Sequence, residues 1–206
     1  MRCFIGLSIL LGGSSVARAE LLAYHFNADA EGWRRGDLNL ATLTMNDVGP
    51  ATWNSLGFID APDFANWSFH LSPIIAANMS SASRIEFDYS SRASDGPYPF
   101  VIFSSGVGAI YQTTTVPGDD QFHHYSYAFT PGTWQFSDGV NFRVATAADI
   151  SFTMSNLHRF GINGDQQTGP EYTRLDNVVL VPEPMTLFAI TFGLAGLARR
   201  KRAKQS

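Results

Sequence analysis

Cysteine is almost absent from this 206-residue chain, Cys3 being the only one. That excludes a disulfide framework and any cysteine-built zinc centre, so a folded domain must be held by its core. Lysine is nearly as scarce, since Lys201 and Lys204 both fall in the last six residues. Between Glu20 and Pro184 the only cations are seven arginines, set against all eighteen acids of the chain. The net charge of that stretch is −11 with histidines neutral, which the whole-chain value of −4 conceals. Phosphate recognition depends on clustered Lys and Arg, so a nucleic-acid partner is disfavoured. Attraction to anionic polysaccharide or anionic lipid is disfavoured on the same ground, while neutral glycans and divalent cations remain compatible. No G-x-S-x-G, H-E-x-x-H, H-x-H or Gly-rich phosphate loop occurs.

What is present begins with two terminal signals. Met1–Arg2 gives a positive start, Phe4 to Leu11 an apolar run, and Val16-Ala17-Arg18-Ala19 an A-x-A site. Those parts in that order describe a secretory signal peptide over residues 1–19, cut after Ala19, with the small residues Ala17 and Ala19 at the positions a signal peptidase reads. Cys3 leaves with it. At the other end, Met185 to Ala198 carries no charge and is followed by Arg199, Arg200, Lys201, Arg202 and Lys204. As a helix this run reaches roughly 21 Å against about 30 Å of hydrocarbon, so it spans only a thinned bilayer. The cations place the C-terminus in the cytoplasm and the domain outside. Pro182 and Pro184 oppose helix or sheet continuation and are expected to hold Val181–Pro184 extended for a peptidase.

Between the signals lie about 165 residues, enough for one domain with a sizeable core. The period is that of strands. "RIEFDYS" sets Ile85, Phe87 and Tyr89 against Glu86, Asp88 and Ser90, and "FHHYSYAF" sets His123, Tyr125, Tyr127 and Phe129 against Phe122, His124, Ser126 and Ala128. "VNFRV" and "TRLDNVVL" behave alike, and Gly/Pro/Asp turn clusters separate them. No amphipathic period of 3.6 runs longer than two turns. About eight to ten short strands are expected, forming a single all-β antiparallel sandwich over residues 20–180.

The tail resembles a known family. Val181-Pro182-Glu183-Pro184, Thr186, Gly193-Leu194-Ala195-Gly196-Leu197 and Arg199-Arg200-Lys201-Arg202 are similar, in order, to the PEP-CTERM sorting signal, here residues 181–206. The resemblance implies an exopolysaccharide-making Gram-negative source, a transient inner-membrane anchor, and processing near Val181, Pro182, Glu183 and Pro184 by an exosortase-type membrane peptidase. A second resemblance runs through "HFNADAEGW", "IDAPDFANWS", "SRIEFDYS", Trp134 and "RLDNVVL", which is similar to laminin B-type and galactose-binding-like jelly rolls. It implies a two-sheet jelly roll used for glycan binding or adhesion.

Several constellations invite chemistry. Asn27, Asp29, Glu31 and Gly32 mimic the opening of an EF-hand loop, but the twelfth position is Leu38, where a glutamate is required. The jelly-roll resemblance implies a different calcium site, with Asp29 or Glu31 near the first strand and Asp176 on the last; the competing reading is a capped turn and ordinary strand-end polar groups. Trp33 and Trp134 are expected in the core; Trp53 and Tyr98, in turn-rich stretches, are the candidate sugar contacts. His123 and His124 are adjacent on a strand and face opposite sides, so they cannot share a metal. Glu86 and Asp88 share a strand face at a spacing within reach of a glycosidase pair, yet two acids on an outer face are the ordinary solvated arrangement, and no catalytic residue is assigned. The reading is an exported, non-enzymatic surface or matrix protein that binds extracellular polysaccharide. A structural or adhesive protein-binding component and, more remotely, a polysaccharide-degrading enzyme are the alternatives.

Overall fold

The structure, a computed structural model, describes residues 20–39, 42, 44–62, 68–169 and 171–183. Ala17, Ala19, Trp67 and Pro184 lie outside the described residues, as does the apolar run that follows Pro184. Among the described residues there are fourteen strands and one helix: β1 (Leu22–Tyr24), β2 (Arg34–Asn39), β3 (Thr44–Pro50), β4 (Thr52–Asn54), β5 (Phe58–Pro62), β6 (Ser68–Leu71), β7 (Ala82–Ser91), β8 (Tyr98–Ser104), β9 (Ala109–Thr114), β10 (His123–Ala128), β11 (Gln135–Ser137), β12 (Phe142–Val144), α1 (Ala147–Ser155), β13 (Arg159–Asn163) and β14 (Tyr172–Pro182). No helix of the described residues is long and apolar enough to cross a membrane.

The strands form two antiparallel sheets. One runs β10-β7-β14-β5-β4, with β1 also on β14; the other runs β12-β11-β9-β8-β13-β6-β2-β3. The eleven-residue β14 centres the smaller sheet. It pairs with β7 along most of its length, while β5 takes the N-terminal half of its other edge and β1 the C-terminal half. Alternation of side chains then dictates what meets between the sheets. Phe87 and Tyr89 of β7 and Leu175 of β14 face Phe103 of β8 and Phe160 and Ile162 of β13 in one buried cluster. Rings dominate it: Phe103 stacks on Phe160 at 5.2 Å, and Trp33 meets Phe160 edge-on at 5.5 Å. Trp33 and Trp134 are buried there as expected, at 1% and 0% exposure. Such aromatic burial contributes about 1.5–3 kcal/mol per side chain, the source of stability left to a domain without cystine.

β10 divides as its sequence indicates. Tyr125 stacks on Phe87 at 5.5 Å inside, while His124 and Ser126 reach Asp88 and Glu86 on the outer face. Three features differ from expectation. The sandwich carries more strands than eight to ten, because several are three-residue pairings that leave no periodic signature. A nine-residue helix, α1, occurs where no amphipathic period stands out; it is nucleated by the Thr146/Asp149 capping box and buries only Ile150, Thr153 and Met154. Finally, Pro182 does not end the sheet. It lies opposite Ala82 as the last residue of β14, its missing N–H falling at a register irregularity between Val181 and Pro182, where a proline is tolerated. The folded sheet therefore runs past residue 180.

Candidate functional site

The outer face of the smaller sheet gathers an unusual set of groups. Asp88 of β7 and Asp176 of β14 are direct cross-strand partners. Two carboxylates so placed repel, and such a pair is destabilising unless positive or donor groups lie against it. Here they do. Asn177 Nδ2 donates to Asp88 Oδ2 at 2.9 Å and to Asp176 Oδ2 at 3.2 Å. His124 Nδ1 is 2.9 Å from Asp88 Oδ1, and His25 Nδ1 is 3.1 Å from Asn177 Oδ1. The backbone is bent to present this set. β14 carries a bulge between Asp176 and Val179, and Asn177 takes the left-handed conformation at φ 51°. Asparagine is the non-glycine residue that adopts this conformation most readily, so the bulge can place its side chain between the strands at little cost.

The turn after β1 supplies the other wall. Glu31 and Phe26 also have positive φ, 47° and 49°. The Glu31 carboxylate accepts the Phe26 amide at 2.9 Å and the His25 amide at 3.3 Å, which folds residues 25–31 back on themselves. Asp29 accepts the Glu31 amide at 2.7 Å and so serves as a turn cap. Burial pushes the Asp176 carboxyl above the ordinary carboxylate range, and the nearby Asp88 and Glu31 charges push in the same direction against the Asn177 amide and His25.

Phe122, 40% exposed, precedes β10 and leans edge-on against Phe58 at 5.7 Å. The Arg174 guanidinium lies 5.2 Å from the centre of the Phe122 ring and donates to Ser90 Oγ at 2.8 Å. An exposed ring thus adjoins a face rich in hydrogen-bonding groups. The fold itself has a known counterpart. It is similar to the L4b domain of human laminin α2, with a TM-score of 0.58 and 14% identity over 79% of this chain and 97% of that domain. A Bacillus licheniformis β-glucanase is also similar, at a TM-score of 0.41 and 10% identity over 79% of this chain and 98% of that one. No family model matches the sequence, and no curated protein matches it.

The laminin-like sandwich brings some expected site residues together and separates others. The Glu31 charge acts on the Asp176 carboxyl, although the two make no direct contact among the described residues. Asp29 is turned to its cap, and Asp88 stands where it was expected. Among the described residues, no three His, Cys, Asp or Glu side chains are disposed to hold one metal ion; the Asn177 amide occupies the space between the two aspartates. Trp53, 36% exposed on β4, flanks this region, its indole N–H donating to Phe26 O at 2.6 Å. Tyr98 belongs to the other sheet, where its hydroxyl donates to Asp95 at 2.6 Å. Glu86 forms an ion pair with Arg84 at 2.6 Å, while Asp88 is engaged by His124 and Asn177. Sequence reasoning missed His25, Asn177 and the role of His124. Nothing local marks them, because residues 25, 88, 124 and 177 are joined only by strand pairing.

Val181 and Pro182 are buried in β14, and Glu183 emerges exposed at its end. A depression of about 730 Å³ elsewhere, beside Ile75, Asn78, Gly106, Asn156 and His158, contains no carboxylate or arginine.

Proposed function

We propose that this is an exported, non-enzymatic surface or matrix protein whose smaller sheet binds neutral glycan on its outer face. The observation that carries the reading is the Asp88–Asp176–Asn177–His124 cluster beside the exposed Phe122 ring. Carboxylates and an amide match the paired hydroxyls of a sugar, and an aromatic ring receives its C–H face. The −11 charge of the domain directs the choice to neutral rather than anionic polysaccharide. Trp53 extends the surface at the β4 edge.

A structural calcium belongs to the same proposal: Glu31 and Asp176 would each supply one carboxylate oxygen and backbone carbonyls the rest, a set that needs no third acidic side chain. The location follows from the terminal signals. The chain is exported by the Sec route, anchored briefly in the inner membrane, processed by an exosortase-type peptidase, and left at the cell surface or in the extracellular matrix.

Affinity electrophoresis of residues 20–183 through gels containing a neutral β-glucan or the producing cell's exopolysaccharide, with and without calcium, tests the reading. Retardation is expected, with Phe122→Ala weakening it about fivefold to tenfold. Free migration of the parent in every gel would overturn glycan binding and favour a structural or protein-binding role. New reducing ends in the gel would identify an enzyme instead.

A further inference from the structure

The last strand does not stop where the sorting motif begins. Val181 is 4% exposed and sits across from Arg84, and Pro182 sits across from Ala82. The Ser83 hydroxyl contacts both of their carbonyl oxygens, at 3.1 Å to Val181 O and 3.0 Å to Pro182 O. The Glu183 amide donates to Ser81 O at 2.9 Å, adding one more rung beyond the strand. On the opposite edge, Leu21 N donates to Leu180 O at 2.9 Å, so β14 enters the motif with a neighbour on each side.

A peptidase attacks a carbonyl carbon in an extended segment that it can surround. Neither of the first two carbonyls of the motif meets that requirement, since both are buried in the sheet and engaged by Ser83. The Pro182–Glu183 bond is further held by its own N–H. Glu183 is exposed and carries the first carbonyl past the ladder.

We infer that the folded sandwich sets the N-terminal limit of tail processing, so that cleavage falls on the C-terminal side of Glu183. Val181 and Pro182 then serve as structural residues that stay with the mature domain, and the motif is read from Glu183 onward. In the hydrolytic case, water adds its hydroxyl to the acyl carbon of Glu183 or a later residue, and the amine of the next residue leaves with a proton. The domain thereby ends on a complete strand after release, with the Ser83 hydroxyl still shared between the Val181 and Pro182 carbonyls.

This rests on the reading of the tail as a processing signal, and the test separates the two. The full-length protein is produced in its own secreting cells and the mature form is recovered from the surface or medium. Its intact mass and C-terminal peptide are then determined. A C-terminus at Glu183 or a later residue, lacking the Arg/Lys tail, is expected. A C-terminus at Pro182 or earlier overturns the inference while leaving the processing signal standing. An intact chain ending at Ser206 overturns the processing reading and the inference with it. Hydrogen exchange on the full-length chain supplies a second readout: the Glu183 amide is expected to exchange at least a hundredfold more slowly than an unprotected amide, and free exchange there would remove the structural basis.

Discussion

His70 is the one histidine of this domain that the core holds fully out of water. Its ring is fully buried between the sheets, with Nε2 3.0 Å from Thr173 Oγ1 of β14. Arg35 is its cross-strand partner on β2, and Ile162 its partner on β13. Burial pushes its pKa down to about 3, so the imidazole is neutral in the folded protein at all but very acid pH. In the unfolded chain it titrates near 6.5. The unfolded state therefore binds the extra proton first as pH falls, and the stability due to the neutral, buried ring is present above 6.5 and lost progressively down to about 3. At about 1.4 kcal/mol per pH unit, lowering the pH from 7 to 5 removes about 2 kcal/mol through this residue alone. His70→Gln keeps an amide N–H for Thr173 and deletes the titration. Urea unfolding of parent and variant at pH 7 and pH 5 reads the difference, because the other four histidines are common to both proteins. The parent is expected to lose about 2 kcal/mol more than the variant over that interval. Equal losses in the two proteins would refute the buried, neutral assignment.

Two further perturbations probe the larger sheet and its helix. At Gly36, an added Cβ would lie 2.0 Å from Leu71 Cδ1 and 2.6 Å from Asn46 O, so Gly36→Ala is expected to cost at least about 2 kcal/mol; an unchanged urea midpoint would show that β2 packs more loosely than described. Thr146→Ala removes the cap of α1, whose hydroxyl accepts the Asp149 amide, and is expected to cost about 1 kcal/mol in thermal unfolding, with an unaltered melt showing that packing of Ile150 and Met154 alone holds the helix.

Much of the sandwich was legible because strand alternation is local. Ile85, Phe87 and Tyr89 point inward and Glu86 and Asp88 outward, as "RIEFDYS" indicates, and Trp33 and Trp134 are core residues. The acids of β7 do occupy the outer face, but they are not simply solvated as expected: Glu86 is buried against Arg84, and Asp88 is held by His124. The helix was hidden because its apolar face is short, although Thr146-Ala-Ala-Asp149 spells a capping box. The extension of β14 through Pro182 was misjudged for a clear reason. Proline withholds only one N–H, and a strand end at a register irregularity has no use for it.

Composition and period alone determined that the domain is acidic, lysine-free and built from antiparallel strands, since these follow from residue counts and from the two-residue repeat of a pleated chain. Tertiary structure alone decided which distant residues meet. Asp88 and Asp176 face each other only because β14 pairs with β7, and His124 joins them only because β10 pairs with β7 on the other side. Their 88-residue separation in the chain carries no trace of that contact. Register is set by the burial of Phe87, Tyr89 and Leu175 on the opposite face. A slip of one residue would turn those rings to water, and it is this cost that fixes the carboxylates in place.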